Sequence, residues 1–186
     1  MNRKALFFVF IVLCMHGVFA EEPFTWQLAL VKDNQGILFE NNSAISMRDG
    51  DSFSIELFSE SDFFAYIVVR QSSGTLTPLL YRRVSANKIE KIGGTLSPPQ
   101  GQLRFYVVAS NSEQRELLNV IEAYNREKTS ANADLLTSML LEIRDSGDDN
   151  PGRPVDFAGS ARAGDVTQGT AYSGASVYAK TITIRH

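Results

Sequence analysis

The segment Phe63-Phe64-Ala65-Tyr66-Ile67-Val68-Val69 is the most apolar run of the chain after its N-terminal leader. Its length suits a strand better than a helix, and β-branched and aromatic side chains, which favour strands, dominate it. Polar residues border the run, with Ser-Glu-Ser-Asp before it and Arg-Gln-Ser-Ser-Gly after it. Within the run, neither of the two alternating sets of side chains is polar, so the run predicts a central strand that is buried on both faces.

Alternating segments flank the central strand. Apolar and polar residues alternate in segments 52–59 and 102–109, which predicts strands with one core face each. Since only residues 60–62 separate segment 52–59 from the central strand, we expect these two to form an antiparallel pair. Segment 75–81, after the turn Ser72-Ser73-Gly74, is expected to pair on the other side.

Shorter β patterns complete this half of the chain. Segment 24–32 predicts a first strand, followed by a turn at 33–36 and a return at 37–39, and segment 44–47 predicts another short strand. Asp49-Gly50 is a hairpin signal, because both residues tolerate positive φ angles. A strand at 88–92 is expected to break at Gly93-Gly94.

The period changes from two to helical after the strand at 102–109. Ser110 and Glu113 fit a capping box for a helix over 112–126, and a second helix is expected to end before Gly147. This helical hairpin, about 112–146, precedes a glycine-rich loop at 147–175 and a last strand at 176–185. The predicted fold class is α+β: an antiparallel β-sandwich-like sheet with a helical hairpin and a C-terminal strand.

Residues 1–20 have the form of a secretory signal peptide. Arg3 and Lys4 precede an apolar stretch that ends before Val18-Phe19-Ala20 and a Glu-Glu pair. Cleavage after Ala20 leaves a single β-rich domain, 21–186, with no transmembrane span. A lipid tether at Cys14 is the alternative, although Leu13 before it is not the small residue that bacterial lipoprotein signals prefer.

Composition argues against several function classes. The chain has 18 Lys and Arg against 21 Asp and Glu, a formal net charge of −3, and no dense basic stripe, so nucleic acid is not an expected partner. Beyond the leader it has no cysteine, and His186, interpreted as a frayed terminal residue, is its only histidine. Catalytic triads and structural zinc sites depend on these residue types, so no catalytic residue, metal or cofactor is predicted.

Carboxylates are the remaining route to acid and base catalysis. Glu56, Glu60 and Asp62 lie near the central strand, but nothing in their spacing separates them from solvated strand and turn residues. The aspartates between positions 148 and 165 match no loop of ordered calcium ligands. Both groups are therefore interpreted as solvated residues.

Basic and aromatic residues are the candidates for contact with a partner or ligand. Basic residues between positions 70 and 91 can gather at one sheet end and attract an anionic partner, or form a solvated rim. Tyrosines can form a sugar-stacking platform or lie in the core. The candidate contact residues are Arg82, Arg83, Lys88, Lys91 and Tyr172.

A series of motifs resembles a bacterial family. It runs from Asp49-Gly50-Asp51 and Phe53-Ser54-Ile55-Glu56-Leu57 through Ala65-Tyr66-Ile67, Gly74 and Leu79-Leu80-Tyr81 to Asn87-Lys88-Ile89, Leu96-Ser97-Pro98 and Phe105-Tyr106-Val107-Val108-Ala109-Ser110. Across about residues 45 to 120 it is similar to the domain of unknown function numbered four-three-eight-four. Arg82 departs from the proline expected after Leu-Leu-Tyr. The resemblance implies a β-rich module of exported proteins and lipoproteins, and it transfers no site residue.

These observations favour an exported, envelope-associated, non-enzymatic module that binds an envelope protein or has a structural role, in the periplasm or outside the cell. A glycan or small-ligand binding domain is the alternative. Neighbouring tyrosine rings lying flat on the surface would favour it, and buried rings would dismiss it. A carboxylate-dependent hydrolase is third, and it requires two facing acids in a concave pocket.

Overall fold

The computed structural model describes residues 24–33, 35–37, 44–146, 152–157 and 168–186. The predicted leader, with the tether at Cys14, lies outside these ranges. The elements found in them are β1 Thr25–Lys32, β2 Gln35–Ile37, β3 Ala44–Ser46, β4 Ser52–Phe58, β5 Phe63–Arg70, β6 Leu76–Val84, β7 Glu90–Thr95, β8 Gln102–Ser110, α1 Arg115–Arg126, α2 Ser130–Ser146, β9 Arg153–Asp156, β10 Gln168–Ser173 and β11 Val177–Arg185. Within the described ranges, no helix is long and apolar enough to cross a bilayer.

The strands form two sheets that share one apolar core. Sheet 1 has the order β7-β4-β1-β10-β9, with β2 also paired to β1, and sheet 2 has the order β3-β11-β8-β5-β6. Because side chains alternate along a strand, each sheet turns one set inward. Trp26 and Leu28 of sheet 1 join Ile67 and Val107 of sheet 2 in that core. The predicted sandwich-like α+β fold is confirmed.

The two helices cover the other face of sheet 2. Tyr66 and Val68 of β5 pack with Ile121 of α1 and with Leu136 and Leu140 of α2 in a second apolar cluster. The layers are therefore sheet 1, sheet 2 and helices, and β5 lies in the middle layer. This position explains why its sequence shows no polar face, and the prediction of a doubly buried central strand is confirmed.

The predicted pairing of segment 52–59 with the central strand is wrong. β4 belongs to sheet 1 and β5 to sheet 2, so the chain crosses between the sheets at residues 59–62. The Ser59 hydroxyl holds this crossing against β1, since it donates a hydrogen bond to the Thr25 carbonyl oxygen at 2.8 Å. The other two predicted neighbours are confirmed, because β6 and β8 both pair antiparallel with β5.

Two turn predictions are also wrong. Gly50 has a φ of 91°, as the turn signal requires, but the turn connects β3 of sheet 2 to β4 of sheet 1 instead of closing a hairpin. The strand predicted to break at Gly93-Gly94 runs through both glycines. Their partners in β4 are Ser54 and Phe53, so the ladder continues despite the entropic cost of glycine.

The first helix starts later than its sequence signal, at Arg115. Gln114 is the N-cap residue and makes no side-chain cap hydrogen bond. Ser110 does not form the predicted capping box, because its hydroxyl accepts hydrogen bonds from the Ser112 N–H at 3.2 Å and the Gln114 side-chain amide at 2.9 Å. The Gln114 backbone N–H donates to the Tyr66 hydroxyl at 2.8 Å, which fixes the start of α1 on β5.

The C-terminal part of the chain contributes to both sheets. The segment predicted as one glycine-rich loop contains β9 and β10, which pair with each other, and β10 also pairs with β1. The prediction of a single loop over 147–175 is therefore wrong at β9 and β10. The last strand is confirmed: β11 lies between β8, to which it is antiparallel, and β3, to which it is parallel.

Candidate functional site

A cavity of about 450 Å³ opens at one end of the sandwich. Its apolar wall combines Phe53 and Ile92 of sheet 1 with Leu79 and Phe105 of sheet 2. The rings of Phe53 and Phe105 meet edge to face, with centroids 5.6 Å apart, and so connect the two sheets beside the opening. The segment 96–101 between β7 and β8 forms another wall and contains a cis Pro98-Pro99 peptide bond. We call this space the end cavity.

Gly94 explains why the end cavity exists. Ile92 and Leu96 face the inter-sheet core, and Gly94 lies between them on the same side of the chain, opposite Phe53 in the β4–β7 ladder. A Cβ atom at position 94 would have no heavy atom within 4 Å. Gly94 is itself exposed to solvent, so no side chain covers the opening beside Phe53.

The wall segment is held at both ends. At one end, the Gly50 N–H donates to the Leu96 carbonyl oxygen and the Leu96 N–H donates to the Asp51 carbonyl oxygen, both at 2.9 Å. At the other end, Gly101 and His186 exchange two backbone hydrogen bonds of 2.8 and 3.1 Å. Residues 97–100 thus connect two fixed points, and backbone hydrogen bonds hold this wall of the end cavity in place.

The interpretation of His186 as a frayed terminal residue is wrong. Its side chain is only 7% exposed, and its Nδ1 lies 2.9 Å from Oδ1 of Asp49. Together with the backbone pairing to Gly101, this contact fixes the residue against the wall segment, where it lines the end cavity. No sequence pattern indicates this contact, because residues 49 and 186 are brought together by the parallel pairing of β11 with β3.

The chemistry of the end cavity is mostly apolar. The polar side chains at its rim include Gln71, Ser72, Gln102 and the imidazole of His186. Among the described residues that line the cavity there is no carboxylate. A concave apolar space with a few polar groups at its rim is the usual form of a small-molecule site. It can hold an apolar group and offer hydrogen bonds at the opening.

A second cavity of about 300 Å³ adjoins the first, and both are lined by Gln71, Ser72 and Gln102. It also contains Arg70 and Arg104, two residues that the sequence analysis did not bring together. They lie opposite each other on β5 and β8, so only the strand register reveals their proximity. We call this space the arginine cavity.

The basic candidates do not form a free positive patch. Arg82 makes hydrogen bonds of 2.9 and 2.8 Å to the two carboxylate oxygens of Glu90, Arg83 lies 2.6 Å from Asp62, and Lys91 lies 2.8 Å from Glu56. These three ion pairs neutralise most of the predicted charge. Lys88 lies exposed in the connection between β6 and β7.

Arg70 is also remote from the other basic candidates along the sheet. It pairs with Leu76 at the start of β6, whereas Arg82 and Arg83 lie near the end of that strand.

The tyrosines do not form a surface platform. Tyr172 is 5% exposed and stacks on Trp26 in the inter-sheet core, with centroids 5.0 Å apart, so the structure does not bring it together with the basic candidates. Burial raises the pKa of Tyr172 to about 12. Of the six tyrosines of the chain only Tyr81, at 38%, is exposed. The two neighbouring exposed rings that would favour a glycan platform are therefore not found among the tyrosines.

The carboxylates near the central strand are engaged outside both cavities. Glu56 accepts one hydrogen bond from the Ser54 hydroxyl and pairs with Lys91 on the side of sheet 1 that faces away from the inter-sheet core. Asp62 accepts a hydrogen bond from the Ala86 backbone N–H at 2.7 Å, and this bond, with the Arg83 guanidinium, lowers its pKa. Glu60 is exposed. The two cavities described above hold none of the three.

Comparisons of the chain with family models, with curated proteins and with solved structures find no match. The resemblance to the bacterial domain family stays a prediction.

Proposed function

We propose that this chain is an exported, envelope-associated, non-enzymatic binding module whose end cavity takes the apolar part of a small molecule. Export rests on the leader pattern of residues 1–20. Small-ligand binding was the alternative from the sequence, and the end cavity now favours it over the surface platform that a glycan would need.

The gap at Gly94 is the observation that carries this proposal. Gly94 is exposed, and the open space of about 450 Å³ beside it is bordered by the rings of Phe53 and Phe105. A concave space with an apolar lining is the usual form of a small-molecule site. Leu79, on the edge strand β6, is 37% exposed at the opening and can cover a ligand. The anchored wall segment means that a ligand meets a pre-formed site, which lowers the entropic cost of binding.

The test is a titration with N-phenyl-1-naphthylamine, a neutral dye whose fluorescence rises in apolar surroundings. The mature chain should bind it at one site, and Leu79→Gln should weaken the affinity by about fivefold, the equivalent of roughly 1 kcal/mol of lost apolar contact. Leu135→Gln is the matched control. Leu135 is 51% exposed on α2, and its replacement should leave the affinity unchanged. Equal effects of the two changes, or no binding, would contradict the proposal.

Binding of an envelope protein is the second candidate, and the edge strand β6 favours it. Leu79 and Tyr81 are 37% and 38% exposed on this strand, which has no partner on its outer side within the described residues. A photo-crosslinker placed at Tyr81 in the intact envelope should then capture one reproducible protein. A crosslinker at Leu135 gives the background, and identical capture at both positions would argue against this candidate.

A further inference from the structure

Two arginines lie opposite each other on neighbouring strands of sheet 2, where β5 ends and β8 begins. Arg70 on β5 and Arg104 on β8 are directly opposite in the antiparallel ladder, and both are half-buried in the lining of the arginine cavity. Side chains in such positions are close, and like charges directly opposite destabilise a sheet. The pair is therefore an electrostatically unfavourable arrangement in the sheet.

Among the described residues, no acidic side chain forms an ion pair with Arg70 or Arg104. The ladder neighbours of the pair are Leu76 on β6 and Thr183 on β11, neither of which carries charge. Two residues after Thr183 on β11, Arg185 adds another positive charge on the same face of the sheet.

The helices leave this end of the sheet uncovered. The helices α1 and α2 cover Tyr66, Val68, Tyr106 and Val108. The arginines are the next pair on the same face of the sheet, since Arg70 follows Val68 by two residues and Arg104 precedes Tyr106 by two. At the end of α2, the carboxylate of Asp145 is already occupied by Arg144, at 2.8 Å. The two guanidinium groups are thus open to the arginine cavity.

We propose that Arg70 and Arg104 bind an oxyanion, so that the ligand of the end cavity is an anionic amphiphile with a carboxylate, sulfonate or phosphate group. Guanidinium groups present planar sets of donors that match such groups, and an anion between them removes their repulsion. The end cavity lies on the inter-sheet side of sheet 2 and the arginines lie on its helix-facing side. The two cavities meet at Gln71, Ser72 and Gln102, where β5 ends and β8 begins, so a molecule that passes around this end of the sheet can place its apolar body in one and its anionic group in the other. This inference rests on the proposed function.

The rim between the two cavities is a fixed structure. The Ser72 hydroxyl donates to the Gln102 carbonyl oxygen at 3.2 Å and accepts a hydrogen bond from the Gln102 backbone N–H. Gly101 allows this contact, since a Cβ atom there would lie 2.5 Å from the Ser72 Oγ. The distance from the apolar cavity to the arginines is therefore set by the backbone, and the ligand must fit it.

The test compares two dyes with the same aromatic body. N-phenyl-1-naphthylamine is neutral, and 8-anilino-1-naphthalenesulfonate carries a sulfonate. The mature chain should bind the anionic dye about tenfold more tightly or better, as expected for charge-assisted hydrogen bonds, and added salt should reduce the difference. Arg70→Gln and Arg104→Gln should abolish the preference without changing the affinity for the neutral dye. Arg126→Gln, an exposed change on α1, is the charge-matched control.

Stability gives a readout that a purely structural role would not produce. Without an anion and at low salt, Arg70→Gln and Arg104→Gln should raise the Tm by about 2 °C, because they remove a like-charge contact. If a glutamine variant lowers the Tm, Arg104→Lys must still prefer the anionic dye over the neutral one, since it keeps the charge. Loss of that preference in the lysine variant as well would overturn the inference.

Competition with inorganic phosphate separates the sources of the anion. Displacement of the sulfonate dye, but not of the neutral dye, by phosphate would support a site that accepts a free oxyanion. An arginine-dependent preference that phosphate does not disturb would support an amphiphile. Equal affinities for the two dyes would overturn this inference and leave the proposed function standing. Failure of the neutral dye to bind at all would instead contradict the proposed function.

Discussion

At the scale of single residues, Gly94 affects stability and ligand binding in opposite directions. It lies in β7 outside the positive-φ region, so a side chain there causes no backbone strain. The missing side chain leaves the end cavity open, and the glycine also increases the entropy of the unfolded chain. Filling the position should therefore stabilise the fold and close the site.

We expect Gly94→Ala to raise the free energy of unfolding by about 0.4 to 1 kcal/mol. Gly93→Ala is the matched control, because a Cβ atom at position 93 would collide with the Phe53 carbonyl oxygen and destabilise the protein. Urea unfolding of both variants measures the difference. Stabilisation at position 93, or destabilisation at position 94, would show that the inward and outward faces of β7 are assigned wrongly.

Tyr172 makes stability depend on pH in the alkaline range. Burial raises its pKa from 10.0 to about 12, so between these values the folded state holds a proton that the unfolded state has released. The stabilisation is fully present below about pH 10 and is lost as the pH rises through 12. Relative to Tyr172→Phe, the wild type should lose about 3 kcal/mol of unfolding free energy across this interval.

Urea unfolding at a series of pH values tests this prediction. The difference between wild type and Tyr172→Phe should be constant up to about pH 10 and then decrease. A difference that stays constant to pH 12 would mean that the Tyr172 hydroxyl is not desolvated in the inter-sheet core.

At the scale of elements, the helices matter because they cover the outer face of sheet 2. Leu136 of α2 is fully buried in the cluster beneath the helices, whereas its neighbour Leu135 is 51% exposed. Leu136→Ala should lower the unfolding free energy by about 2 to 5 kcal/mol, and Leu135→Ala should change it by about 0.5 kcal/mol or less. Chemical denaturation of the two variants checks this, and similar losses would refute the packing of α2 on the sheet.

Most elements could be predicted from the sequence, because their periodicity reflects which faces are buried. β5, β8, β11 and α2 are found close to their predicted ranges. The partner of β4 could not be predicted in the same way. A short connection of residues 59–62 suits both a hairpin and a crossing between sheets, and only the packing of β4 opposite β5 decides between them.

The candidate site was less predictable than the fold. Arg70 and Arg104 are 34 positions apart in the sequence numbering, and their opposition depends on the register of β5 and β8. The end cavity depends on Gly94, one of the two glycines that predict a strand break. Ile92, Gly94 and Leu96 lie on the same side of the chain only if the strand continues through both glycines. A predicted break at Gly93-Gly94 therefore hides the fact that position 94 carries no side chain toward Phe53.

At the scale of the whole molecule, the chain crosses between the sheets at both ends of the sandwich, and one of these crossings borders the site. The chain passes between sheet 1 and sheet 2 at residues 59–62 and again at the wall segment 96–101, which joins β7 to β8. The wall segment, anchored at Leu96 and Gly101, borders the end cavity on one side. Backbone hydrogen bonds to the turn that precedes β4 and to the end of β11 therefore shape this side of the site.

The central claim, that ligands enter the end cavity, is tested most directly by backbone amide NMR during addition of N-phenyl-1-naphthylamine. The largest shifts should come from Phe53, Gly94, Gly101 and Leu103, while the amides of α1 and α2 stay in place. Shifts concentrated on the helices, or a spectrum that does not change at saturating dye, would contradict the claim.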